Sequence, residues 1–197
     1  MGYCDPHWIG DYHFYNAMRF RTRTEPLESA PSPAADGDAR SLLLWGGVSA
    51  EGVPYLEPAF VLDIPPSPPV DGGNYRIRGR DASGEELFAL SLDMWRIADG
   101  DGGSGFAFAL PVRAGWADAL ASLTLSGPGG SFTLDGESGL VEAAAIVRNP
   151  VTRQVRGILR DASAAGLAGA VEEALAVDPA LEVLVSRGIP DPADWDR

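Results

Sequence analysis

Tyr75-Arg76-Ile77-Arg78-Gly79-Arg80-Asp81-Ala82-Ser83-Gly84-Glu85-Glu86-Leu87-Phe88 is the stretch that decides the fold class. Arg76, Arg78 and Arg80 alternate with Ile77 and Gly79, so an extended backbone sends the two sets to opposite faces. The alternation stops at Asp81-Ala82-Ser83-Gly84, where an aspartate can open a turn by bonding the backbone ahead of it and Gly84 can take a positive φ. Two such runs joined by a tight turn predict an antiparallel hairpin. The three arginines on one face read as a solvated stripe paired with nearby carboxylates rather than as an anion site.

A second hairpin is equally legible. Ala144-Ala145-Ile146-Val147 and Val155-Arg156-Gly157-Ile158-Leu159 flank Asn149-Pro150-Val151-Thr152-Arg153, in which the proline pre-sets φ after an asparagine able to bond its own backbone. Working outward, the chain breaks into short apolar or alternating runs between Gly, Pro, Asp and Asn. They are Ser41–Ser49, Tyr55–Asp63, Tyr75–Arg80, Glu86–Asp93, Gly105–Val112, Leu120–Ser126, Ser131–Asp135, Ala143–Arg148, Gln154–Asp161 and Leu181–Ser186. Gly127-Pro128-Gly129-Gly130 joins two of them as a turn, and no Lys-Ser or Lys-Thr follows it to make a phosphate cradle. The spacing predicts a mainly β protein, an immunoglobulin-like antiparallel β-sandwich, over residues 41–197. Leu167, Val171 and Leu175, spaced by four, predict a short helix before the last strand, ended by Pro179.

Ahead of the strands the pattern changes. Trp8, Tyr12, Tyr15 and Arg19 share one helical stripe with Phe14 and Met18 beside it, and Arg19, Arg21 and Arg23 sit where cations favour a helix C-terminus. A helix is therefore expected over residues 8–23, within an N-terminal segment 1–23. Residues 24–40, Thr-Glu-Pro-Leu-Glu-Ser-Ala-Pro-Ser-Pro-Ala-Ala-Asp-Gly-Asp-Ala-Arg, lack periodicity and read as a linker.

Composition removes several function classes. Acidic residues outnumber basic ones 28 to 15, a formal charge of −13, which disfavours a nucleic-acid partner. All 15 basic residues are arginines, so a lysine Schiff base, a P-loop lysine and a Ser-Lys dyad are excluded. The two histidines, His7 and His13, lie six apart, which does not match a helical zinc pair. The opening residues lack the basic start and apolar core of a signal peptide, and no stretch approaches the roughly 18 apolar residues that would span a bilayer. At 197 residues the chain is long enough to build a core without staples, and its one cysteine, Cys4, makes no intrachain disulfide. Asp99 and Asp101, in Asp-Gly-Asp-Gly-Gly-Ser, resemble the opening of a calcium loop. The later bidentate glutamate is missing, and a solvated turn is the reading adopted.

Met1-Gly2-Tyr3-Cys4-Asp5-Pro6-His7-Trp8-Ile9-Gly10-Asp11-Tyr12 resembles the Met-turn of metzincin-type zinc metalloproteases and the start of their C-terminal helix. Leu123-Thr-Leu-Ser-Gly-Pro-Gly-Gly-Ser and Asn149-Pro-Val-Thr-Arg-Gln-Val-Arg-Gly-Ile-Leu-Arg are similar to the β-sandwich that succeeds it in a group of bacterial secreted or lipoprotein peptidases. The resemblance implies that Met1 forms a hydrophobic floor beneath a zinc site and that Tyr3 matches the tyrosine that approaches the metal in some members. It implies a secreted or cell-envelope location, and a disulfide between Cys4 and an upstream cysteine. The family's H-E-x-x-H-x-x-G-x-x-H, which supplies three ligands and the general base, does not occur in this sequence. The resemblance and this departure together lead us to expect a non-catalytic C-terminal accessory domain with no metal or cofactor of its own, zinc belonging to the intact parent. Its expected partner is the upstream catalytic domain, or a second copy through the aromatic helix. A zinc endopeptidase completed by an upstream half, and a free-standing module binding carbohydrate or protein through loops such as 99–105, are the alternatives.

Overall fold

A computed structural model describes residues 40–96, 102–136, 143–160 and 164–195, all within one compact unit, Gly37–Arg197. The helix read over residues 8–23, most of the linker, and Met1, Tyr3, Cys4, His7, His13, Asp99 and Asp101 lie outside the described residues. Within them the protein is mainly β, and every strand pairing is antiparallel.

The first sheet is built around β1 (Arg40–Val48). One edge of β1 carries β2 (Pro54–Leu56) and β3 (Phe60–Asp63), the other carries β7 (Ser104–Pro111), and β7 carries the two-residue β6 (Trp95–Arg96). The second sheet runs in the order β5 (Glu86–Leu92), β4 (Tyr75–Asp81), β8 (Leu120–Gly127), β9 (Gly130–Asp135). The third is β11 (Val155–Arg160), β10 (Ala144–Arg148), β12 (Glu182–Ser186). A single helical turn, α1 (Trp116–Ala119), precedes β8, and α2 (Ala164–Val177) stops just short of Asp178-Pro179.

The deciding hairpin forms as its residues require. Ile77 is fully buried while Arg76 and Arg78 reach Glu86 on the neighbouring strand at 3.7 Å each. In the turn, Asp81 Oδ1 accepts from the Ser83 amide at 2.9 Å, the Ser83 hydroxyl at 2.7 Å and the Glu85 amide at 2.8 Å, and Gly84 takes φ 87°. These donors, the Ser83 hydroxyl foremost, hold the Asp81 carboxyl below the usual aspartate value of 3.8. Folded Asp81 thus stays ionised to lower pH than the unfolded chain allows. The turn's contribution is complete above that usual value and is lost as pH falls through the folded pKa. Asp81→Asn is expected to flatten this acid dependence, read from the amide shifts of Ser83 and Glu85 in a pH titration. Persistence of the titration in the variant would assign it to another group.

Periodicity marks residues 55–63 as one run, but the structure divides it into β2 and β3. Pro58 has no N–H to give to the ladder. The chain bulges there instead, with the Glu57 amide on the Trp45 carbonyl at 3.1 Å, the Ala59 amide on the Gly188 carbonyl at 2.8 Å and the Pro58 carbonyl accepting from Trp45 Nε1 at 2.6 Å.

Two cores share β1 and β3. Leu42, Leu44 and Val61 pack with Phe108, Ile77, Leu123 and Leu125 between the first and second sheets, and Trp116 and Trp195 join this core. Trp45, Phe60 and Leu62, on the alternate positions, pack with Ala144, Ile146 and Leu184 of the third sheet. The first sheet is therefore covered on both faces at these strands, and Leu42-Leu43-Leu44-Trp45 is the continuous apolar run such burial demands. Ala145 and Val147 alternate with Ile146, are buried as well, and α2 packs across β10 and β11. A two-layer sandwich is thus extended by a third sheet and a helix.

Candidate functional site

Ile64-Pro65-Pro66-Ser67-Pro68-Pro69-Val70-Asp71 leaves β3 as a strap with four prolines in five positions. Proline fixes φ and removes the donor, so Ser67 holds the lone N–H of Pro65–Pro69. That N–H donates to the Ala109 carbonyl at 2.8 Å, and the Ala109 amide returns a bond to the Ser67 carbonyl at 3.3 Å, pinning the strap along β7.

Between the strap, β7 and the facing ends of β4 and β5 lies a groove of about 810 Å³. Tyr75, Leu92, Met94, Phe106 and Phe108 give it an apolar lining. Phe106 and Phe108, two apart on β7, point the same way and lie with ring centroids 5.3 Å apart at 28°. The Tyr75 ring rests on the Gly127 backbone, where a Cβ would collide with it. Ser67 and Ser104 add hydroxyls, and Asp71 and Asp93 are exposed carboxylates on the lining. Among the described residues no imidazole, thiol, ammonium or guanidinium lines the groove. Such a lining can hold a ligand by apolar contact, ring stacking and hydrogen-bond acceptance.

A second concentration of charge is internal. Arg148 on β10 is only 3% exposed, yet its Nε lies 2.7 Å from Glu182 Oε2 and its Nη1 lies 3.3 Å from Asp63 Oδ2. Arg153 Nη1 approaches the same two carboxylates at 3.4 and 3.5 Å, and Arg40 Nε lies 3.6 Å from Asp63. Arg40 also donates to the Trp195 carbonyl. These pairs tie the third sheet and the C-terminal turn to the first sheet, so we read the cluster as a structural clamp.

Met1, Tyr3, Asp99 and Asp101 lie outside the described residues, and two arginines of the β4 stripe, Arg76 and Arg78, lie 3.7 Å from Glu86. Among the described residues no group of three or more His, Cys, Asp or Glu side chains could hold a metal, and the sequence has no H-E-x-x-H. Without that motif this sequence does not supply the three histidine ligands and general base of a metzincin zinc centre. Among the described residues no helix is long and apolar enough to cross a membrane. Sequence reading missed the groove, because Ser67-Pro68-Pro69, Tyr75 and Phe106-Ala107-Phe108 come together only in the folded chain.

No family model, curated protein or solved structure matches this chain.

Proposed function

We propose that this chain is the non-catalytic C-terminal accessory part of a secreted, metzincin-like zinc endopeptidase of bacterial type. Its immunoglobulin-like sandwich would stabilise the protease half or position substrate. The observation that carries this reading is the Met1–Tyr12 text, which resembles a Met-turn and its helix in a sequence without the zinc-binding histidines. The antiparallel, mainly β architecture of the described residues supports its second half. The catalytic residues and the zinc would then belong to polypeptide preceding the Met-turn. Translating the DNA upstream of the Met1 codon is the first test: an in-frame H-E-x-x-H-x-x-G-x-x-H supports the reading and an immediate stop overturns it. For this chain by itself, the expected result is no stoichiometric zinc by metal analysis and no hydrolysis of casein. Stoichiometric zinc in the purified chain would sink the accessory role.

A second reading, a free-standing binding module, is favoured by the aromatic groove between the proline strap and β7. It differs from the first in needing no upstream catalytic half. Fold alone does not choose between them, because one architecture serves many functions.

A further inference from the structure

We propose that the groove between the proline strap and β7 binds an extended cationic segment of polypeptide in which arginine or lysine alternates with apolar residues. The inference rests on the reading of this chain as a module that holds another molecule, and it does not need the protease resemblance.

The charge pattern chooses the ligand. Where carboxylates of the first and second sheets meet arginines they are neutralised: Asp63 by Arg148, Glu57 by Arg160 at 2.8 Å, and Glu86 by Arg76 and Arg78. Asp71 and Asp93 have no cation partner among the described residues, and both face the groove. With no cation among the described residues of its lining and a chain charge of −13, the groove repels anionic ligands and attracts cationic ones.

The shape chooses the conformation. At about 810 Å³ the groove exceeds the needs of one side chain, and it is lined along the extended strand β7 and the strap, which pair with each other at Ser67 and Ala109. An extended ligand sends successive side chains to opposite sides. One set would settle on Tyr75, Met94 and Phe106, where buried apolar area supplies affinity, while the other reaches Asp71 and Asp93. The pinned strap and the ring seated on Gly127 leave the lining in place before binding, which lowers the ordering cost.

The test uses the full chain and a fluorescein-labelled peptide of roughly ten residues alternating arginine and valine, long enough when extended to cross the groove. A glutamate-valine peptide and cellohexaose serve as comparisons. Anisotropy should show binding of the arginine peptide alone. Asp71→Asn with Asp93→Asn should weaken it about tenfold, as expected for two partly solvated ion pairs. The double variant should keep the native melting temperature, since both side chains are exposed. With methyl-labelled methionine, one of 3 in the chain, the Met94 signal should shift on binding. Binding that leaves Met94 unmoved and ignores the double variant is general attraction to an acidic surface, and overturns the proposal. Binding of cellohexaose or the glutamate peptide, undiminished in the variant, overturns the cationic assignment and keeps a binding groove. Failure of every probe removes the groove as a site, while the upstream DNA decides the accessory reading independently.

Discussion

Trp45→Ala is expected to cost about 4 kcal/mol of folding stability, the range for removing a buried aromatic side chain and leaving its cavity. Trp45 is 8% exposed and is the largest member of the second core, which also holds Phe60, Leu62, Ala144, Ile146 and Leu184. Its Nε1 donates to the Pro58 carbonyl at 2.6 Å, at the break between β2 and β3, and the Arg160 guanidinium sits 4.1 Å from the ring. The cation–π contact at a partly exposed arginine contributes about 0.5–1 kcal/mol. The hydrogen bond contributes about 1 kcal/mol. Loss of packing therefore dominates. Trp45→Phe, which keeps much of the ring, should cost roughly half as much. For a chain of this size about 4 kcal/mol corresponds to a fall in melting temperature of about 10 °C. Urea denaturation followed by circular dichroism measures it. A cost below about 1 kcal/mol would mean that the third sheet does not rest on Trp45.

Arg148→Ala should destabilise by about 3 kcal/mol, because one partner of a buried ionic network is removed and its counter-charges remain. Arg148 is the deeply buried member, whereas Asp63 and Glu182 keep 21% and 29% of their side-chain surface exposed. Arg40 and Arg153 still reach the orphaned carboxylates at 3.4 to 3.6 Å, which holds the cost near the lower end of the range. Arg148→Met fills the space of the guanidinium stem and should lose less than Arg148→Ala. The buried pair is little screened, so the effect should persist in molar salt. Neutralising Glu86, whose pairs with Arg76 and Arg78 are at the surface, should by contrast change stability by less than about 1 kcal/mol. Equal effects of Arg148→Ala and Glu86→Gln in denaturant titrations would contradict a buried clamp.

Local chemistry explains which parts of the structure are legible in the chain. Asp81-Ala82-Ser83-Gly84, Asn149-Pro150 and Gly127-Pro128-Gly129-Gly130 carry their turns in their own side chains and glycines, and each turn forms where those residues stand: the Asn149 carboxamide accepts from the Val151 and Thr152 amides at 2.9 Å each, and Gly127 pairs with Gly130. The spacing of Leu167, Val171 and Leu175 marks α2 for the same reason. The long apolar runs Leu42–Trp45 and Phe60–Leu62 also carry information that alternation alone misreads. An edge or half-solvated strand would alternate, and an unbroken run signals cover on both faces.

The groove and the clamp were not legible, because each joins residues far apart in the chain. Arg148 meets Asp63 across 85 positions and Arg40 meets the Trp195 carbonyl across 155. Nothing in the spacing near Tyr75 announces that Phe106 and a proline strap will face it. Strand positions, turn chemistry and the acidic, lysine-free composition follow from local sequence, since they depend on the two-residue period, on φ preferences and on residue counts. Long-range packing, by contrast, sets the pairing of β1 with β7, the cover of the first sheet by a third, and the place of Asp71 and Asp93 beside an aromatic groove with no cation partner among the described residues. Those outcomes depend on which apolar faces bury one another, a balance struck over the whole chain rather than within any one segment.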